Sequence, residues 1–222
     1  MTVEAPDGRR TRWVAHRRIR REELVDAAVR AIRAHGAGVG MDEVAAEAAT
    51  SKAAVYRYFA DRDDLYLAVC ARVTERLVSQ LGAALVPERE PRHQLAAAID
   101  AYLRVIEADP DVYRFVVARP LADRPGGSDP VRDLSALVGD HVATLIAIRL
   151  KDAGVDSSSA GPWGHGIVGL VRSAADHWLD QRPPMSREDL RDHLTDLAWS
   201  GLAGILAATG REVDPTPPTW RS

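Results

Sequence analysis

Apolar residues recur at three- and four-residue intervals along most of the chain, the spacing that gives an α-helix one buried face. Leu24, Ala27, Ala28, Ala31 and Ile32 mark a first helix from about Arg21 to His35, ended by Gly36 and Gly38. Met41, Val44, Ala45 and Ala48 form the inward side of a short second helix. Ala49-Thr50-Ser51 is a turn, and a third short helix, Lys52 to Phe59, turns Val55 and Phe59 inward. Asp61 caps a long helix that begins at Arg62 and runs past Leu81. Pro87 and Pro91 bracket the next break, and helices follow over His93–Ala108 and Val112–Arg119. Pro120 to Pro130 reads as a loop. Val131 to Ala153 is a long helix with Leu134, Leu137, Val138, His141, Leu145 and Ile148 along one side. Pro162 opens a helix that continues to Asp180. Ser186, with Asp189 three residues on, starts a last helix that ends near Thr209. Strand signals are nearly absent, so the pattern predicts an all-α chain of about nine helices.

Charge divides this chain more sharply than apolar content does. Residues 9–21 hold seven arginines (Arg9, Arg10, Arg12, Arg17, Arg18, Arg20 and Arg21) and no acid. A basic arm of this kind neutralises phosphate. It is equally a solvated tail, or arginine richness from codon bias, since only Lys52 and Lys151 are lysines. Residues 67–222 carry 17 basic and 21 acidic residues, a balance not built for phosphate. The expected organisation is a disordered basic arm over 1–19, a small helical domain over 20–66, a larger one over 67–209 and a disordered tail over 210–222.

The single cysteine, Cys70, excludes an intrachain disulfide framework and a cysteine metal site, and its apolar helical setting suits a buried thiol. The N-terminus lacks the apolar stretch of a signal peptide, and no apolar run is long enough to span a membrane. A cytoplasmic location without membrane contact is expected.

Two short helices joined by a tight turn, behind a stabilising first helix, make a helix-turn-helix. A major groove roughly 12 Å wide admits one helix, which must be apolar on the side facing its own core and polar or small on the other. Val55 and Phe59 serve the core; Ser51, Lys52, Ala53, Ala54, Tyr56, Arg57 and Tyr58 remain for DNA. The segments Met41-Asp42-Glu43-Val44-Ala45, Ala48-Ala49-Thr50-Ser51-Lys52, Val55-Tyr56-Arg57-Tyr58-Phe59 and Arg62-Asp63-Asp64-Leu65 resemble the signature of TetR-family regulators over about residues 20–68. The chain length and helix number resemble that family as well.

The resemblance implies roles for individual residues. Lys52, Ala53, Ala54 and Tyr56 stand where the family meets bases or the phosphates beside them, and Ser51, Tyr58 and Arg62 where it grips phosphate. Arg57 points near DNA, and Arg17 and Arg18 of the arm join it as candidates. Phosphate contacts fix register, whereas base edges set sequence. There are three departures from the pattern. Gly40 replaces a common capping hydroxyl, and Ala49 stands where glycine is common. Ala53 and Ala54 offer little beyond contact with a thymine methyl. If the turn at Ala49 needs a positive φ, alanine there is strained by roughly 1 kcal/mol.

The larger half is implied to hold a ligand pocket and a dimer surface. Tyr102, Phe115, Arg119, His141, Leu145, Trp163, Arg172 and His177 are its candidate ligand residues, for an elongated, mostly apolar pocket suited to a lipophilic effector. Gly164, Gly166, Gly169 and Ser173, with Ala198, Gly201, Gly204 and Ala208, put small residues on the last two long helices, where the family builds its homodimer. Tight packing within one chain explains such residues too. Asp140, His141, Asp176 and His177 have no metal-ligand spacing, and neither a metal nor another cofactor is expected. There is no Gly-rich phosphate loop, nucleophile elbow or His-Glu-x-x-His, so no enzyme is indicated. The competing reading is a ligand-binding or assembly protein whose helix-turn-helix has lost DNA. Lys52, Tyr56, Tyr58 and Arg62 oppose it, because a lapsed motif has no reason to keep cations and hydroxyls together. The expected partners are double-stranded operator DNA, a small effector and a second copy of the chain; a palindromic operator and release by the effector describe a repressor.

Overall fold

Helix-spaced alanine and leucine, broken by proline and glycine, build only helices among the described residues. The structure is a computed structural model that describes residues 8–84, 90–117, 130–180 and 185–208. Those residues form α1 (Gly8–His35), α2 (Met41–Glu47), α3 (Lys52–Val55), α4 (Arg62–Ala84), α5 (Pro91–Ala108), α6 (Pro110–Val117), α7 (Pro130–Asp152), α8 (Ala160–Asp180) and α9 (Arg187–Ala208), with no strand among them. They fall into two compact units, Met1–Glu75 with Asp109–Pro130, and Arg76–Ala108 with Val131–Ser222. The expected tail over 210–222 and most of the expected 120–130 loop lie outside the described residues.

The first unit is organised around the apolar stripe of α1. Leu24, Ala27, Ala28, Ala31 and Ile32 are at most 2% exposed, and Val44, Val55, Phe59, Val69 and Cys70 complete the core around them. Gly36, at φ +81°, ends the stripe in the left-handed region, its N–H donating to the Ile32 carbonyl over 2.7 Å. α4 starts with a reciprocal cap: Asp64 N–H donates to Asp61 Oδ1 at 2.8 Å, and Ala60 N–H to Asp64 Oδ2 at 3.0 Å.

Two features of this unit differ from the sequence expectation. Residues 8–19, expected as a disordered arm, are helical and extend α1 by three turns. Arginine is a good helix former, and the extension is tied by Arg18–Glu22 and Arg20–Glu23 pairs along the helix. Helix α6, expected with the larger domain, packs on α1 instead. Buried Tyr66 of α4 donates its hydroxyl to the Val116 carbonyl at 2.6 Å, and its ring lies 5.5 Å from that of Phe115. Arg33 of α1 forks onto Asp109, just before α6, at 2.6 and 2.8 Å. That fork holds the Arg33 guanidinium above its ordinary pKa.

The second unit packs α5 against α9 and α8. Arg187 of α9 reaches Asp100 and Glu107 of α5 at 3.2 and 3.0 Å, and Arg92 of α5 pairs with Asp196 of α9. α9 opens on the expected box: Asp189 N–H donates to Ser186 Oγ at 3.1 Å while the Asp189 carboxylate accepts from Ser186. α7 and α8 meet at a glycine notch. A Cβ on Gly164 would sit 2.5 Å from the Ala143 nitrogen and 2.6 Å from the Gly139 carbonyl, so the two backbones touch there. Ile146, Leu150 and Ala160 are buried beside it, with Trp163, Ile167 and Leu202 packed on them.

The notch also decides which way α7 faces. The large residues expected to line one inward side do not: Leu137, Leu145 and Ile148 are 64, 40 and 50% exposed. The face carrying Gly139, Ile146 and Leu150 turns inward, because backbone-to-backbone approach is possible only on the glycine side. Gly164→Ala is therefore expected to destabilise the fold by about 1–3 kcal/mol, the usual cost of overpacking. Gly166→Ala, which meets nothing within 4 Å, should be neutral or better in thermal unfolding of the same protein.

Candidate nucleic-acid interface

A helix of four residues has no stability of its own in water. α3 holds its direction because Val55 and Phe59, both fully buried, anchor it to the core. Burying each is worth about 1.5–3 kcal/mol. Ser51 caps it, its Oγ accepting from the Ala54 N–H at 3.2 Å. The side away from the core is then open: Ser51, Lys52, Ala53, Tyr56 and Arg57 are exposed, and Ala54 and Tyr58 partly so.

The turn before α3 takes its shape from a left-handed residue. Ala49 has φ +48°, the only non-glycine residue with positive φ among those described. Thr50 N–H donates to the Ala45 carbonyl and Ala49 N–H to the Ala46 carbonyl, the paired bonds of a Schellman ending for α2. The turn does take a positive φ, which meets the condition under which alanine at this position is strained. At the other end of α2, Gly40 has no side chain to cap with. The Glu43 carboxylate reaches back to the Gly40 N–H at 2.9 Å, half of a capping box.

Two arginines of α1 hold its basic extension to the recognition helix. Arg17 donates from Nη2 to the Arg57 carbonyl at 3.4 Å, with its guanidinium over the Trp13 ring. Arg21 stacks on the Phe59 ring at 4.6 Å and pairs with Asp64 at 2.6 Å. The partners of Arg17 are a neutral carbonyl and a ring, so that contact leaves its positive charge uncancelled. Arg18 is exposed and pairs with Glu22 only at 3.7 Å. Arg62 is exposed as a residue, but its Nη2 donates to the Val39 carbonyl at 2.8 Å, fixing the link that leads into α2.

Asp42 is the member of this surface that sequence reasoning missed, and Arg21, expected with the basic arm, is held on Phe59 and Asp64 instead. Lys52 Nζ lies 2.8 Å from Asp42 Oδ2, and this hydrogen bond, then the charge of Asp42, keeps the ammonium above its ordinary pKa. Sequence spacing shows an acid in the first turn of α2; it does not show that the acid meets a lysine ten residues later.

None of the described candidate ligand residues is fully buried. Phe115 belongs to the first unit, and Arg119 lies outside the described residues. His141 and Leu145 are exposed on α7, and Arg172 and His177 on α8. Tyr102 on α5 is partly buried, and Trp163 packs into the apolar cluster of α7 and α8. The polar groups expected inside this unit are therefore mostly outside it. Asp140 pairs at 2.9 Å with His165 of α8 rather than with His141 or His177.

A capped recognition helix, a strained turn and an arginine-rich neighbour helix define a helix-turn-helix DNA-binding regulator. Residues 24–69 match the family model described as bacterial regulatory proteins, tetR family, and residues 80–214 match the tetracyclin repressor-like C-terminal domain. The chain belongs to the TetR family, whose members are transcriptional regulators and not enzymes. An HTH-type transcriptional regulator of Mycobacterium tuberculosis is 38% identical over 223 residues, covering 96% of this chain and 94% of the relative. The HTH-type transcriptional activator FasR of Mycolicibacterium smegmatis is 30% identical over 166 residues, covering 75% of this chain and 74% of FasR. The crystal structure of a TetR-like regulator from Rhodococcus sp. RHA1 superposes with a TM-score of 0.62 at 26% identity, over 83% of this chain and 96% of that one. No described helix is long and apolar enough to cross a membrane.

The turn generates a direct test. Left-handed alanine costs roughly 1–2 kcal/mol, and glycine gives back about 0.4–1 kcal/mol of that through unfolded-state entropy. Ala49→Gly should raise unfolding stability by the remainder, about 0.5–1 kcal/mol, in urea titrations, without loss of DNA affinity.

Proposed function

We propose that this regulator is a homodimeric repressor that leaves a palindromic operator when a small lipophilic effector binds its second unit. The observation that carries the DNA half is the surface formed by α3 and the extension of α1. Lys52, Tyr56 and Arg57 stand on one exposed face, and Arg17 joins the basic helix to it through the Arg57 carbonyl. Ser51, Tyr58 and Arg18 grip phosphate around that face, while Ala53 and Ala54 allow close approach to bases. Arg62 acts on DNA through the loop it fixes. The arm acts as a preformed helix of phosphate-binding arginines rather than as a tail that orders on DNA. Removing residues 1–18 is expected to cost at least tenfold in affinity at 50 mM salt and to flatten the salt dependence, by roughly 0.9 in log–log slope per lost phosphate contact. Unchanged affinity in a gel-shift titration would exclude the arm.

The dimer is proposed to form through α8 and α9. Leu197 is 60% exposed and Leu170 36%, and the space outside Gly166, Gly169, Gly201 and Gly204 is open. A second copy covering this face brings apolar side chains against small ones, and two-fold symmetry doubles the DNA site. A Cβ on Gly201 meets nothing within 4 Å among the described residues, so Gly201→Arg has an open direction for its side chain. It should leave the fold intact by circular dichroism, convert the protein to monomer in sedimentation and remove operator affinity. A dimer that survives this change places the interface elsewhere.

Support for a lipophilic effector is the apolar character of the second unit around Trp163, Ile146 and Ile167. α4 carries the chain from one unit into the other, so an effector that tilts it changes the spacing of the recognition helices. A differential affinity of about 1–3 kcal/mol between the two dimer states is enough for regulation. The name of FasR, an activator, favours a second reading in which the bound dimer recruits transcription. A reporter behind the operator separates the two: deletion of the regulator raises expression for a repressor and lowers it for an activator. Action on chromosomal DNA implies a cytoplasmic protein.

A further inference from the structure

The charges on the recognition surface are not treated alike. Arg17 and Arg62 donate to neutral carbonyls, of Arg57 and Val39, and keep their full charge. Lys52, at the first position of α3, is instead paired with the Asp42 carboxylate of α2 at 2.8 Å. Both partners are open to solvent, at 49% and 72% side-chain exposure, so the pair is not needed to hold the fold. An acid beside the first lysine of a DNA-reading helix weakens general attraction to DNA, and so needs another explanation.

An ammonium carries three donors and no acceptor. While one donor stays on Asp42, the other two can meet the O6 and N7 acceptors of a guanine edge, which carries no net charge. Phosphate is different. To reach a phosphate, Lys52 must leave Asp42 or bring that carboxylate against a second anion. Phosphate is also the one partner that every sequence offers. We propose that Asp42 is a positioning residue that turns Lys52 away from phosphate and toward an acceptor-bearing base edge, trading general affinity for sequence selectivity. This inference rests on the reading that α3 enters the major groove.

The test uses the full-length protein, the tightest duplex recovered from a random-sequence selection, and an unrelated duplex of equal length. Affinities are measured from 50 to 200 mM salt for the unsubstituted protein, Asp42→Asn, Lys52→Met and the double variant, with a thermal melt of each. Asp42→Asn should bind the unrelated duplex about 3–10-fold more tightly, with a log–log salt slope steeper by roughly one, as for one added phosphate contact. The selected duplex should gain less, so the ratio between the two narrows by at least about threefold. In the Lys52→Met background the same change should leave the ratio as it is. If Asp42→Asn raises both affinities equally, with or without Lys52, Asp42 is only diffuse negative charge and the proposal fails. No change in either affinity overturns it as well. Should Asp42→Asn melt early, Asp42→Ser, which keeps a side chain suited to a helix start, replaces it. Loss of selected-duplex affinity in Lys52→Met upholds the DNA reading even when the Asp42 result is negative. Unchanged affinity there removes that reading and this one together.

Discussion

Two buried side chains, Val55 and Phe59, hold a helix too short to exist alone, and the DNA surface depends on that anchorage. α2 packs against both α1 and α3, and the left-handed turn at Ala49 sets the angle at which the chain arrives. Arg21 lies over the Phe59 ring and ties it to Asp64, so the same anchor also fixes the basic helix beside it. Surface and core are therefore one construction.

Parts of this were legible in the sequence because they follow from local spacing. The α1 stripe, the inward turn of Val55 and Phe59, the Asp61 and Ser186 caps, and the conformational demand on Ala49 each involve residues within a few positions of one another. Backbone sterics and helix periodicity act over that range. The helix-turn-helix could be read for the same reason, and its aromatic and apolar positions at fixed spacing carried the family resemblance.

What escaped depends on partners distant in sequence. Nothing near Phe115 shows that α6 turns back to Tyr66, a contact 50 positions away. The inward face of α7 follows from Gly139 and Gly164 rather than from its larger residues, since closeness of approach outweighs side-chain size when two backbones can touch. The ligand candidates rest on the expectation that polar and aromatic groups fall inside the second unit, but His141, Arg172 and His177 are exposed. Charge alone does not show that the arm is helical. Its helix comes from the propensity of arginine and from ties to Glu22, Glu23 and the Arg57 carbonyl.

The central claim is that this surface, doubled by symmetry, reads a defined DNA sequence. The most direct measurement is selection of genomic fragments by the purified full-length protein, followed by titration of the recovered site at 50 and 200 mM salt. The account predicts a near-palindromic site with half-site centres about 34–36 Å apart, and affinity that falls steeply with salt yet stays well above that of unrelated DNA. Recovery of no preferred sequence, with every fragment weakening equally as salt rises, would contradict it and leave the basic helix as a source of general attraction only.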